Sequence, residues 1–310
     1  MSTSLNIETS TTYFRDAFVP FDKANVSIAS SPFLYGLAIY TVFSANWNPD
    51  HKQLYIFRLR EHYDRLVTSA RIMNFADFGA RYSFKQFQDV MVELLTRNHA
   101  QEDVLVRAMI FVDEVAAGAR INGLKNELAV YVYPTGEILP LAGTHVTVSS
   151  WQRIADNMIP ARAKINGSYV NTSLMKNDAL AGGYDDAIAL DGSGHVTEGT
   201  LANVFLVRSG TLITPVTSSD ILEGITRNSV LAAADHLRIP AIERQVDRSE
   251  LYACEEAIFV GSSARITPIL SIDRRPVGTG SPGPVTGRLS TYYHELQYGL
   301  AERNWLTTVY

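Results

Sequence analysis

Lys164 is one of six lysines in the chain, and Tyr169 follows it five residues later, across an Asn-Gly turn. After a helix-like run and an apolar strand, an acid stands in the phrase Thr197-Glu198-Gly199. An amine, a phenol and a carboxylate in that order suit pyridoxal 5'-phosphate (PLP) chemistry. The amine condenses with the aldehyde, a hydroxyl bonds the ring oxygen, and an acid keeps the pyridine nitrogen protonated. The neighbours Ala161, Ala163 and Ile165 would desolvate the Lys164 amine and favour its nucleophilic form.

Each residue also has a plainer reading. A lysine taken alone lies along the surface with its ammonium in water. Lys176, between Met175 and Asn177-Asp178 on a helix, fits that description better than Lys164 does. Glu198 by itself is a strand-end acid at the surface. The phrase Leu222-Glu-Gly-Ile-Thr226 runs into a helix whose first amides, with the Thr226 hydroxyl, suit an anion. Gly224 permits close approach there, and an ordinary helix cap is the alternative. Gly261-Ser-Ser-Ala264 offers two hydroxyls and turn amides, or is simply a polar loop. Arg60, where a strand meets a helix, would add a cation to the anion site or stay solvated.

The elements that must position these groups are legible in outline. Residues 13 to 50 read as short strands and turns, including the aromatic stretch 33 to 43. Gln53 to Leu59 alternates as a strand, and Arg60 to Met73 carries Leu66, Ala70 and Met73 at helical spacing. Ser83 to Asn98 is a second helix, capped by Ser83, with Phe87, Val90, Met91 and Leu94 facing inward. Val104 to Val112 and Leu128 to Val132 are strands of one sheet. Pro134-Thr-Gly136 and Pro140 mark a linker over 134–143, between a small α+β domain at 1–133 and a larger domain at 144–310. In the second domain His145 to Ile154, Asp185 to Leu190, Leu201 to Val207, Thr211 to Ile213 and Ala257 to Val260 are strands. Thr226 to Leu237 is a helix with Val230, Ala233 and Leu237 inside, and Pro284 to Asn304 a closing helix.

Composition narrows the class. A chain of 310 residues, 46% hydrophobic and 19% charged, has the means to bury a core and is no disordered segment. The net charge of -5 gives nucleic acid no general field to bind. One cysteine, Cys254, precludes an intrachain disulfide or a cysteine-based zinc site. The seven histidines include no His-x-x-x-His pair, so no metal is expected. No apolar run reaches membrane-spanning length, and the polar start MSTSLNIETSTT does not read as a secretory signal, so a cytoplasmic enzyme is expected.

Taken together, the phrases resemble the class IV aminotransferases of PLP fold type IV, and most closely the branched-chain amino acid aminotransferases. They are Phe57-Arg-Leu-Arg-Glu-His62 with Arg65-Leu66, Ser149-Ser-Trp151, Ala161-Arg-Ala-Lys164 with Tyr169, Thr197-Glu-Gly199 with Asn203, and Thr214-Pro215. Gly224-Ile-Thr-Arg227, Gly261-Ser-Ser-Ala264 with Ile266-Thr-Pro268, and Gly283-Pro-Val-Thr286 complete the set, in order, from about Tyr35 to Pro284. The resemblance implies an α/β (α+β) fold of two domains with the cofactor between them, and a homodimer or higher homo-oligomer. It implies that Lys164 is the Schiff-base lysine and proton carrier, Tyr169 the phenol on the ring oxygen, and Glu198 the acid on the ring nitrogen. Arg60, Ile225, Thr226 and Ser262 resemble the phosphate set, with Gly224 and Asn203 beside it, and Leu222 the residue against the ring face. The amides of Ser262 and Ser263 fall where the substrate α-carboxylate is held, and Tyr35 where a neighbouring subunit's site is reached.

The donor side departs from the family pattern. Ser44 stands for an arginine, Val42 for a glycine, and Leu105 for the tyrosine two before Arg107. Arg107 itself is kept and is the candidate receiver of glutamate's distal carboxylate. Tyr40, Val42 and Leu105 would form an apolar pocket for leucine, isoleucine or valine. The activity implied is branched-chain L-amino acid transamination to 2-oxoglutarate by a ping-pong mechanism. The alternatives are a D-amino acid or (R)-amine transaminase of the same fold, or an aminodeoxychorismate lyase.

Overall fold

The computed structural model describes residues 5–75, 78–136 and 138–310. Of the expected linker, Glu137 lies outside the described residues; so do 1–4, 76 and 77 of the expected first domain. The chain forms two compact units. One holds 1–136, 163–167 and 295–310, and the other 137–162 and 168–294. Thus a five-residue segment carrying Lys164, and the C-terminal sixteen residues, group with the first unit although both lie beyond the 134–143 stretch.

The first unit is a seven-stranded antiparallel sheet in the order Leu306–Thr308, Gln53–Phe57, Ala38–Asn48, Val104–Val112, Asn126–Pro134, Thr11–Phe14, Ala17–Pro20. Val104–Val112 forms over the range its β-branched run predicts, because it is a central strand buried on both faces. The aromatic stretch expected as short strands is instead a short helix, Ser31–Tyr35, and one eleven-residue strand, Ala38–Asn48. Gly36 separates them in the left-handed conformation, at φ 66°, with its N–H closing the helix on Pro32 O.

Two helices cover one face of this sheet. Leu59–Ile72 turns His62, Leu66, Ser69 and Ala70 inward. Phe84–Arg97 starts at a capping box made by Ser83 and Gln86. Its buried face is Phe87, Met91, Leu94 and Leu95, so Leu95 takes the place expected for Val90, which is part-exposed. The expected closing helix ends at Gln297 rather than Asn304: Gly299 turns the chain at φ 70°, and Leu306–Thr308 then pairs with Gln53–Phe57.

In the second unit the strands Asn203–Arg208, Glu256–Gly261, Arg265–Ile272, Thr144–Gln152, Asp186–Leu190 and Val196–Gly199 pair in succession. The last pairs back to the first through Asn203 and Glu198, closing a ring of six. Val146, Ile188, Val196, Leu206, Phe259 and Ile269 pack in its core. Thr211–Thr214 and Ala241–Glu243 extend the sheet beyond the ring. The helix Ile225–His236 buries Val230, Ala233 and Ala234, while Leu237 falls at its C-cap and stays half-exposed. No helix among the described residues is long and apolar enough to cross a membrane.

Candidate active site

In the first unit the site is built on a sheet edge. Gln53–Phe57 pairs with only the far end of Ala38–Asn48, from Ala45 onward. The near end therefore has an open edge, and the Lys164 segment fills it through an antiparallel bridge between Ile39 and Ile165. Tyr40 N donates to Lys164 O at 3.0 Å, and Lys164 N donates to Ser69 Oγ at 3.3 Å. The lysine's backbone is thus pinned on both sides by bonds that do not involve its side chain. Its Nζ lies 4.9 Å from the centre of the Tyr40 ring, and the Arg107 guanidinium lies 4.0 Å from the same ring.

Gly36 anchors the other end of this segment. Gly167 N donates to Gly36 O at 3.2 Å, and a Cβ at Gly36 would meet Gly167 Cα at 2.7 Å. Both obstacles are backbone, and φ is positive, so no side chain fits without moving the Lys164 strand. Gly36→Ala should destabilise the first unit by about 2–4 kcal/mol. Urea unfolding measures this; a midpoint equal to that of the parent would show that the two backbones are not locked together.

Behind the strand, Thr41 Oγ1 pairs with His62 Nδ1 at 2.7 Å and accepts from Arg65 Nη2 at 3.2 Å. Burial first, then the charges of Arg65, Arg58 and Lys164, push the His62 imidazole well below its ordinary range, so it packs as a neutral ring. Arg60 corrects an expectation. Its side chain is 61% exposed, paired with Asp64 at 3.0 Å and stacked on Phe84. It occupies the solvent side of the helix, whereas Arg65, five residues on, turns toward Thr41. Of these two arginines Arg65 is the one beside the lysine strand, and since each has an acid four residues away, Asp64 for Arg60 and Glu61 for Arg65, spacing alone does not separate them.

Tyr40, Val42, Leu105 and Arg107 share one sheet face, since Val42 opposes Arg107 and Tyr40 opposes Met109. Tyr40, Val42 and Leu105 are buried. Ser44, where the family pattern has arginine, is buried and accepts from Gln297 Nε2 at 3.1 Å. Tyr35 is 44% exposed.

In the second unit, Glu198 is at the point where the ring closes. Arg153 Nη2 meets its Oε1 at 2.9 Å, each side chain only 9% exposed. Asn203 Nδ2 donates to Oε2 at 2.9 Å and also to Leu222 O at 3.0 Å, and Leu222 N donates to Oε2 at 3.2 Å. One cation and two N–H donors thus hold a carboxylate in one orientation. Glu198 is therefore not a surface acid. Asn203 uses its amide for this support. The Arg153 partner carries no local signal, because it lies far from Glu198 along the sequence.

Gly224 leads directly from Leu222 into the helix Ile225–His236, which has no side-chain N-cap and no acid in its first turn. A Cβ on Gly224 would fall 2.0 Å from Asn203 Oδ1. Ile225 and Thr226 are buried in that first turn. Ser262 and Ser263 form the turn between Glu256–Gly261 and Arg265–Ile272, and Val260 of the first of these strands opposes Asn203. Tyr169 opens the helix Tyr169–Ala181. Lys176, expected to be solvated, instead donates to Asp185 O at 2.5 Å and lies 3.7 Å from Asp186, so it is a structural cation.

Residues 39–272 match the amino-transferase class IV family. A probable branched-chain-amino-acid aminotransferase of Aquifex aeolicus is 38% identical over 302 residues, 96% of each chain. The crystal structure of a branched-chain aminotransferase from Thermoproteus uzoniensis with norvaline superposes with a TM-score of 0.92 at 35% identity, covering 97% of this chain and 99% of that one. The T.th. branched-chain amino acid aminotransferase complexed with N-(5'-phosphopyridoxyl)-L-glutamate gives a TM-score of 0.91 at 32% identity, covering 98% of this chain and 100% of that one. This chain belongs to the amino-transferase class IV family, and its mixed fold matches that of the branched-chain enzymes.

Proposed function

We propose that the protein is a PLP-dependent transaminase that moves the amino group of leucine, isoleucine or valine to 2-oxoglutarate by a ping-pong mechanism. The observation that carries this reading is the carboxylate of Glu198, buried and oriented by Arg153, Asn203 and the Leu222 N–H, an acid of the kind that pairs with a ring N–H. The donor set fits the cofactor: an amine at Lys164, an anchored carboxylate at Glu198, and a helix N-terminus at Ile225 without a side-chain cap.

When bound, PLP supplies an aldehyde for amines and a cationic ring that draws electrons from the bonds at Cα. Lys164 would hold the cofactor covalently, and its amine is the group that would take and return the Cα proton. Glu198 would keep the ring nitrogen protonated, and Tyr169 would bond the ring oxygen. Ile225, Thr226 and Ser262 hold the phosphate, with Arg65 as the cation in place of Arg60. Leu222 packs on the ring, and the amides of Ser262 and Ser263 receive the α-carboxylate. Tyr40, Val42 and Leu105 receive an apolar side chain and Arg107 a distal carboxylate, in keeping with the norvaline and the phosphopyridoxyl-glutamate held by the two relatives. An apolar pocket of this kind separates donors that differ by a methylene by only about 1–3 kcal/mol.

A homodimer belongs to the same reading: Val26, Ile28, Phe33, Leu34 and Tyr35 are 44–77% exposed in one short run, an apolar surface that a second copy would cover. So does the cytoplasm, where the buried Cys254, its thiol pushed up to about 11 by desolvation, stays reduced. The test is to mix the yellow enzyme with L-leucine, D-alanine, L-glutamate and (R)-1-phenylethylamine in turn, and follow the cofactor band. Rapid bleaching by L-leucine and L-glutamate is expected. Bleaching by D-alanine or the amine alone would reassign the donor, and release of pyruvate from aminodeoxychorismate would reassign the reaction.

A further inference from the structure

Arg107 has an unusual set of neighbours. Leu105, two residues before it on the same strand, brings no polar atom, and directly across the sheet Arg107 faces Val42 on one side and Tyr131 on the other. The Tyr131 hydroxyl lies 3.5 Å from Arg107 Nη1, and the guanidinium rests 4.0 Å above the Tyr40 ring. Its Nε is buried and has no hydrogen-bond partner among the described residues. A buried guanidinium N–H left unmatched costs free energy unless a ligand supplies an acceptor.

We propose that Tyr131 is a positioning residue that sets the substrate class of this site. Its hydroxyl holds one arm of the Arg107 guanidinium against the Tyr40 ring, so that the remaining N–H groups, the Nε among them, are presented as a fork to a carboxylate. Substrates with a distal carboxylate depend on this arrangement; substrates with an apolar side chain do not. The Tyr131 ring is itself fixed, edge-on to Phe21 at 6.0 Å and beside Tyr133 at 5.7 Å, and Tyr133 stands opposite Leu105. The two phenols on Asn126–Pro134 therefore serve the face on which Val104–Val112 offers only the apolar Leu105 and Met109 beside the arginine. This inference rests on the transaminase reading and deepens it.

The test is Tyr131→Phe in the cofactor-loaded enzyme, which keeps the ring contacts and removes only the hydroxyl. Calorimetric titration with glutarate and with 4-methylpentanoate, neither of which carries an amino group, reads binding without turnover. Glutarate should weaken by about fivefold and 4-methylpentanoate by less than about twofold. The KM for L-glutamate should rise by a similar factor, while kcat with L-leucine in the first half-reaction holds. In an Arg107→Lys background the same substitution should leave glutarate binding unchanged, because the fork is already gone. Equal weakening of both ligands would make Tyr131 a packing residue, and unchanged glutarate binding, or an undiminished effect beside Arg107→Lys, would overturn the inference. Each of these leaves the transaminase reading intact. A parent enzyme that binds neither ligand and is bleached by no donor would remove that reading, and the inference with it.

Discussion

Lys164→Ala is expected to lower transamination by more than about 10⁴-fold, since in the proposed roles one substitution would remove both the cofactor's covalent anchor and the base at Cα. The fold should survive it. The contacts that pin residue 164 are made by its backbone, from Tyr40 N to Lys164 O and from Lys164 N to Ser69 Oγ, and an alanine keeps both. Thermal unfolding should therefore shift little, which separates lost chemistry from lost structure. Borohydride reduction, which makes the lysine linkage permanent, should leave the parent protein with label in the peptide containing Lys164 and the variant with none. Lys176 is the internal control. Its ammonium is already engaged with Asp185 O and Asp186, so Lys176→Met should lose some stability and keep the label. Recovery of label at Lys176 in the parent would end the assignment.

How far the sequence alone reaches depends on whether a signal is local. The helix Phe84–Arg97 and the strand Val104–Val112 are signalled by the Ser83 cap and by an apolar run with Val104, Val106, Ile110 and Val112, and both form close to the ranges read. The order Lys164, Tyr169, Glu198, Gly224, Ser262 is likewise a property of the chain, and all five lie within the residues 39–272 that match the class IV family. What stays hidden is which way a side chain turns once a sheet is beneath it. Arg60 and Arg65 lie on one helix, five residues and about 140° apart. Only the packing of that helix on Ala38–Asn48 shows that Arg65 meets Thr41 while Arg60 meets solvent. The long strand Ala38–Asn48 is hard to read because its burial is continuous and Gly36 is the sole break before it. Arg153 is invisible for another reason: its partnership with Glu198 exists only because the ring of strands closes there.

That closure makes Glu198 the second large target, and Glu198→Gln should cost about 10²–10³-fold in kcat, or about 2.7–4 kcal/mol, with the cofactor still attached at Lys164. In the proposed role a neutral amide would not keep the ring nitrogen protonated, and the electron-drawing power the bound cofactor would supply is expected to fall. The substitution also has a structural cost that must be separated from the chemical one. Glu198 accepts from three donors, and a glutamine turns its own NH₂ toward at least one of them. It also leaves Arg153, 9% exposed, without its counterion, and removing one partner of a buried pair costs about 3–5 kcal/mol. Adding Arg153→Met to Glu198→Gln removes the stranded charge and should recover much of the lost stability. It should recover none of the rate, because the acid is still missing. Urea unfolding and single-turnover kinetics with L-leucine, run on both variants, read the two quantities independently. A double variant that regained turnover along with stability would mean that Glu198 serves the fold and not the reaction.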